Sequence, residues 1–190
     1  MAIEDRRARE RSARRDLIVS TARALAEAEG WEAVTTRRLS TEIEYSQPVL
    51  YKHFHGMEQI AEAVALDGFA ELARALRAAR AEADSPAEVV TRTVRAYLDF
   101  AHANPAVYDA MFTRVTTLRF ADDETPPALR AAFSELHQSV ALVADGQDVD
   151  TLTEVLWATV HGLVTLGRSG RLRTGHEADR LRLLVEQLSA

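Results

Sequence analysis

Within the first 55 residues, apolar positions recur at helical spacing but are interrupted at Gly30, Thr35 and Ser46, which leaves room only for three small helices. Leu17, Ile18, Ala22, Leu25 and Ala28 mark a first helix from about Ser12 to Glu29, and Gly30 is a natural residue just past its C-terminus. Thr35 can cap a short second helix carrying Leu39 and Ile43. After a break at Glu44-Tyr45, Ser46 can cap a third, predicted from Gln47 to Phe54. There Pro48 falls in the first turn, where its missing N–H costs nothing, and Leu50 and Phe54 point inward one turn apart. Three short helices in so few residues make a compact trihelical head.

The rest of the chain reads as helix as well. A long alanine-rich stretch after Gly56 carries Ile60, Val64, Leu66, Phe69, Leu72 and Leu76 to about Ala83. Ser85-Pro86 restarts a helix and Asn104-Pro105 breaks it. Residues 113–126 are the least helical, and Pro126-Pro127 opens a helix through Leu129, Phe133, Leu136, Val140 and Val143 that Asp145-Gly146 closes. Two last helices follow, roughly 150–167 and 176–188. The expected fold is therefore all-α with about nine helices: an N-terminal head over 1–56, joined by a long helix to a C-terminal helical domain over 57–190.

Charge and composition narrow the function classes. The net charge is -6, yet residues 1–15 hold Arg6, Arg7, Arg9, Arg11, Arg14 and Arg15 against three acids, a basic arm on an acidic body. No apolar run follows the arginines and no window reaches the ~18 apolar residues a membrane span requires, so a cytoplasmic chain is predicted. There is no cysteine, which removes thiolate chemistry and disulfides. Gly162-x-x-x-x-Gly167-Arg168-Ser169 has the outline of a phosphate loop, but arginine stands where the lysine belongs and a helix precedes it instead of a strand. No nucleophile elbow, paired-carboxylate setting or dinucleotide fingerprint occurs. His102 and His137 lack metal-ligand spacing. Neither an enzyme nor a cofactor nor a metal is expected.

The string Thr35-Thr36-Arg37-Arg38-Leu39-Ser40, followed by Ser46-Gln47-Pro48-Val49-Leu50-Tyr51-Lys52-His53-Phe54, resembles the helix-turn-helix of the TetR (tetracycline-repressor-like) family. The likeness covers about residues 12–60. It implies a transcriptional regulator, a homodimeric repressor of double-stranded operator DNA that a small-molecule effector releases. The matching tyrosine and histidine, Tyr51 and His53, contact the DNA backbone in the family, and the threonine matching Thr35 meets a phosphate at a helix N-terminus. The residues by themselves point the same way. A recognition helix puts its N-terminal residues nearest the base edges, so Gln47, Pro48 and Val49 face bases, while Lys52 and His53 lie toward phosphates. Gln47 can pair with an adenine through two hydrogen bonds, and Pro48 and Val49 can meet a thymine methyl. Ser46, Thr36 and Arg37 complete the expected DNA-facing set. Three positions depart from the family pattern: Glu44 replaces the turn glycine, Tyr45 a small apolar residue, and Met57 a phosphate-contacting lysine.

Near the C-terminus, Trp157-x-x-x-His161-Gly162 resembles the Trp-His-Gly signature of one group of TetR C-terminal domains. Trp157 and His161 lie one turn apart. Either they line a ligand cavity, or Trp157 is core, His161 satisfies a backbone carbonyl and Gly162 allows close helix packing. Tyr97, Phe100, Tyr108, Phe112, Phe133 and His137 complete the candidate effector set, with core packing as their alternative role. Dimer contacts are expected from the last two helices, through Leu152, Leu156, Leu163, Leu181, Leu184 and Leu188. The competing functional reading is an architectural or partner-regulated DNA binder with the same head and no small-molecule effector.

Overall fold

A computed structural model of the chain describes residues 2–114, 118–120 and 123–188, with side chains from Glu4 onward. Among them are nine α-helices and no strand. They are α1 (Ala2–Glu29), α2 (Thr36–Glu42), α3 (Gln47–Tyr51), α4 (Met57–Ala81), α5 (Pro86–Ala103), α6 (Pro105–Asp109), α7 (Pro127–Val140), α8 (Val149–Arg168) and α9 (Glu177–Leu188). A tight turn, Trp31–Ala33, follows α1, and a wider π-type turn, Ala110–Arg114, prolongs α6. Of the predicted irregular stretch 113–126, residues 115–117 and 121–122 lie outside the described residues.

Three expectations about element ends are corrected, the first being α7, which ends at Val140 and does not run through Val143 to Asp145-Gly146. Helix α1 starts at Ala2, ten residues before the predicted Ser12. Its first half has no apolar stripe for periodicity to detect. Alanine, arginine and glutamate are good helix formers, however, and Glu10 pairs with Arg6 at 3.7 Å and with Arg14 at 3.9 Å, each one turn away. Regular geometry in α3 ends at Tyr51 and not at Phe54, although the Phe54 amide still donates to the Leu50 carbonyl at 3.0 Å.

The chain divides into two compact units, Met1–Gly68 with Asn104–Glu124, and Phe69–Ala103 with Thr125–Ala190. In the first, Ile18, Ala22 and Leu25 of α1, Leu39 of α2, Leu50, Phe54, and Ile60 and Val64 of α4 are buried. Helix α6 joins this unit from far along the chain. The Ala106 and Val107 amides, left without carbonyl partners at the start of α6, donate to the two carboxylate oxygens of Glu27 at 3.1 and 3.0 Å. The Trp31 indole donates to the Ala106 carbonyl at 2.8 Å, and Arg23 donates to the Asn104 side-chain oxygen at 2.8 Å. Gly68 makes the close approach of α4 possible: a Cβ there would stand 2.5 Å from Val107 Cγ1 and 2.8 Å from Met111 Sδ.

In the second unit α5 packs against α7, α8 and α9. Val90, Val94, Tyr97, Leu136, Val140, Leu156 and Val160 form its core. Several polar groups within it are paired. Thr93 and Ser139 hydroxyls meet at 2.9 Å, and Ser139 also donates to the Glu135 carbonyl. The carboxylate of Glu135, only 3% exposed, receives Arg77 and Arg80, each at 2.8 Å. Burial alone raises the Glu135 pKa, but the hydrogen bonds from Arg80 and Arg77 outweigh it and leave the carboxyl below its ordinary range. Asp148 caps α8 by accepting from the Thr151 amide at 2.9 Å.

Candidate nucleic-acid interface

The turn between α2 and α3 is shaped by one strained residue. Glu44 adopts φ 56°, the left-handed conformation that glycine tolerates most cheaply, so the chain reverses as the motif requires although its glycine is absent. On the α2 side Thr35 caps as expected, its hydroxyl accepting from the Arg38 amide at 3.1 Å. Arg38 is tied to Glu29 and Glu42, at 3.1 and 2.9 Å. Arg37 next to it is exposed and Thr36 half-buried. Ser46 occupies the residue before α3 in extended geometry, but its hydroxyl makes no capping bond, which corrects the expectation that it would.

Helix α3 is amphipathic within its five residues. Leu50, followed by Phe54, fixes the inner side, and Gln47, Pro48, Tyr51 and Lys52 are turned outward. Tyr51 is 49% exposed, unusual for an aromatic ring of that size. Val49 and His53 are half-buried at the flanks of this surface. The predicted DNA-facing residues from Gln47 to His53 are thus brought to α3 and the turn that follows it, anchored from beneath. Tyr45 and Met57, both departures from the family pattern, are half-buried at its two borders.

The same surface is electropositive. The Arg15 guanidinium lies over the Phe54 ring, 4.3 Å from its centroid. The His53 pKa is held below 6.5, first by burial and then by the positive charges of Arg11, Arg14, Arg15 and Lys52. An imidazole among four cations marks a place where a phosphate would be attracted.

The candidate effector residues are not gathered in the same way. Tyr108 and Phe112 belong to the first unit, with ring centroids 4.7 Å apart, whereas the other six belong to the second. There Tyr97 and Phe100 are buried in the core, and Phe133 meets Trp157 edge-on at 6.4 Å. His137 Nε2 lies 3.2 Å from an Asp150 carboxylate oxygen. His161 is half-buried, and burial lowers its pKa. A cleft of about 580 Å³ opens between α5, α8 and α9, bordered by Arg95, Leu98, His102, Leu163, Val164 and Leu181 among others. None of the eight predicted residues lines it. The available sequence signal was the spacing of Arg95, Leu98 and His102 along one face of α5, which the search for aromatic rings passed over.

Of the six leucines expected at a dimer contact, Leu156, Leu181 and Leu188 are buried inside the chain's own unit, because they supply its core beneath α8 and α9. The exposed large apolar residues of these helices are Val155, Leu166 and Leu183. Among the described residues no group of three or more metal-ligating side chains occurs, and no helix is long and apolar enough to cross a membrane.

A strained turn between two short helices, the second anchored by Leu50 and Phe54 and presenting polar residues beside a cluster of arginines, defines a helix-turn-helix DNA-binding regulator. Residues 18–64 match the model of bacterial regulatory proteins of the tetR family, and residues 90–189 match the tetracyclin repressor-like C-terminal domain. The chain belongs to the TetR family of transcriptional regulators. It is 29% identical over 160 residues to the uncharacterized HTH-type transcriptional regulator Rv0681 of Mycobacterium tuberculosis, covering 82% of this chain and 71% of that one. A protein of unknown function from Rhodococcus sp. RHA1 shares the fold with TM-score 0.74 at 23% identity, over 92% and 93% of the two chains. BioQ, solved with its natural double-stranded DNA operator, shares it with TM-score 0.65 at 20% identity, over 92% of this chain and 97% of that one.

Proposed function

We propose that this regulator is a homodimeric repressor that binds a near-palindromic operator and leaves it when a small molecule enters the C-terminal part of the chain. Residues 1–56 would read DNA, and residues 57–190 would bind the effector and dimerise. The observation that carries the reading is α3: Gln47, Pro48, Tyr51 and Lys52 face outward from a helix whose inner side is fixed by Leu50 and Phe54. Gln47 and Pro48, at its N-terminal end, would meet base edges with Val49, while Ser46, Tyr51, Lys52 and His53 would meet phosphates along with Thr35, Thr36 and Arg37. BioQ, which shares the fold, was solved on its own duplex operator, and this supports the same partner here.

Dimerisation through α8 and α9 is supported by the exposed Val155 and Leu183, 54% and 49% accessible, which water solvates poorly. Two heads would then read half-sites a helical turn or a multiple apart. The effector would lie in the second unit, bordered by residues such as Phe133, His137, Trp157 and His161 or held in the α5–α8–α9 cleft, whose size suits a small molecule. Helix α6 follows α5 in sequence, yet Glu27, Trp31 and Gly68 hold it in the first unit. A coupling of about 1–3 kcal/mol would change DNA affinity about 5- to 150-fold. Such a protein acts in the cytoplasm as a binder and not as an enzyme.

Selecting bound sequences from random duplexes with purified protein tests the reading. It predicts a near-palindromic motif bound by two protomers, and compounds that raise the melting temperature should release it. A monomer with no sequence preference would contradict it. A palindromic motif that no stabilising compound ever releases would favour the architectural alternative.

A further inference from the structure

Helix α1 is packed for only half its length. From Glu4 to Leu17 every residue is exposed, and burial begins at Ile18 and Val19. An isolated helix of about 12–15 residues is marginal in water. This half is nevertheless a direct continuation of the packed half, and helix periodicity sets which way its side chains point. Arg7, Arg11 and Arg14 precede Ile18, Ala22 and Leu25 at steps of three or four residues, so the arginines extend the same face that those apolar residues bury. Arg15 borders that stripe and stacks on Phe54, at the end of the turn that closes the recognition segment. The apolar stripe of α1 thus becomes a basic one where it passes the edge of the head, beside α3.

We propose that Arg7, Arg11 and Arg14 form a second DNA contact, which grips backbone phosphates next to the groove that α3 enters and supplies affinity without sequence preference. The inference rests on the DNA-binding reading of α3 given above. From Arg7 to Arg14 the stripe spans roughly 10 Å of helix axis. Duplex DNA carries about six negative charges over that length, enough for each guanidinium to find a phosphate oxygen. Arg14 is held by Glu10 only loosely, at 3.9 Å, and can leave it for a phosphate. The stripe divides labour with α3: phosphate contacts position the protein, base contacts specify the site.

The test is a combined Arg7→Gln, Arg11→Gln, Arg14→Gln variant, which keeps length and helix propensity and leaves Arg15 on Phe54. Binding is measured between about 50 and 200 mM salt, to the duplex selected by the unaltered protein and to a random duplex of equal length. The expected result is an equal fold-loss on both duplexes, an unchanged selected motif, and a salt slope flatter by about 0.9 per phosphate contact, up to about 2.7 per protomer and about 5.4 for a bound dimer. Unchanged affinity and slope would overturn the proposal, and so would a loss confined to the selected duplex or a changed motif. If the triple variant melts early, Arg11→Gln alone should flatten the slope by about 0.9 per protomer, about 1.8 for a bound dimer, and no change in it would be equally decisive. Failure of the α3 reading would look different: the unaltered protein would select no motif, while the random duplex would still decide the role of the stripe.

Discussion

Glu44 carries a left-handed backbone in a place where most sequences with this motif need glycine. The conformation costs an L-residue about 1–2 kcal/mol, part of which glycine's larger unfolded-state entropy offsets. Glu44→Gly should therefore stabilise the protein by up to about 1 kcal/mol, which raises Tm by roughly 2–4 °C for a chain of this size. An unchanged or lower Tm in a thermal melt would show that Glu44 is not strained. His53 gives a pH-dependent prediction. Its folded pKa lies below 6.5, so as pH falls the unfolded chain takes up the proton first, and the stability present above pH 6.5 is lost as pH drops through the folded value. DNA phosphates would favour the charged imidazole, so operator affinity should rise over the same fall in pH, and His53→Gln should flatten both profiles. Chemical denaturation and binding titrations across about pH 5–8 check the two signs. At this scale much was legible in the sequence. Leu50 and Phe54 are buried and Tyr51 is exposed as their one-turn spacing required, and the φ of Glu44 followed from its place in the turn. The idle hydroxyl of Ser46 was not legible, because residue type permits a cap but local geometry decides whether one forms.

Elements defined by an apolar stripe and a punctuating residue were read closely: Gly30 ends α1, Pro86 opens α5, Pro127 opens α7, and Asp145 with Gly146 turns the chain before α8. The first half of α1 escaped because charge pairs, not burial, run along it. The docking of α6 on α1 escaped for a different reason. It depends on Glu27 reaching amides some 80 residues away, and no local pattern announces such a bond. Its closeness can be tested at Gly68. Alanine there would gain about 1 kcal/mol of helix propensity, but its methyl would stand 2.5 Å from a buried valine, and overpacking typically costs about 1–3 kcal/mol. Val107 is fully buried and its branched side chain has little rotamer freedom in a helix, so the clash should prevail. Gly68→Ala is expected to lower Tm by a few degrees, about 2–4 °C per kcal/mol. A higher Tm would mean that α6 yields easily to the added methyl.

For the molecule as a whole, the sequence reads as a head followed by a body, whereas the compact units interleave: residues 104–124 leave the second unit and return to the first. This arrangement divides the predicted effector residues, placing Tyr108 and Phe112 with the head and the other six with the body. Aromatic residues at helical spacing serve core and pocket alike, and only tertiary packing distinguishes them. The surface proposed to face DNA is more compact, because one short helix and the turn after it carry most of it. Its central claim is that α3 reads bases through Gln47. The most direct measurement is to select bound sequences from random duplexes with Gln47→Ala beside the unaltered protein. The account predicts that preference at one symmetric pair of positions relaxes, with about 1–3 kcal/mol of discrimination lost there and the rest of the motif kept. An identical motif from both proteins would contradict it.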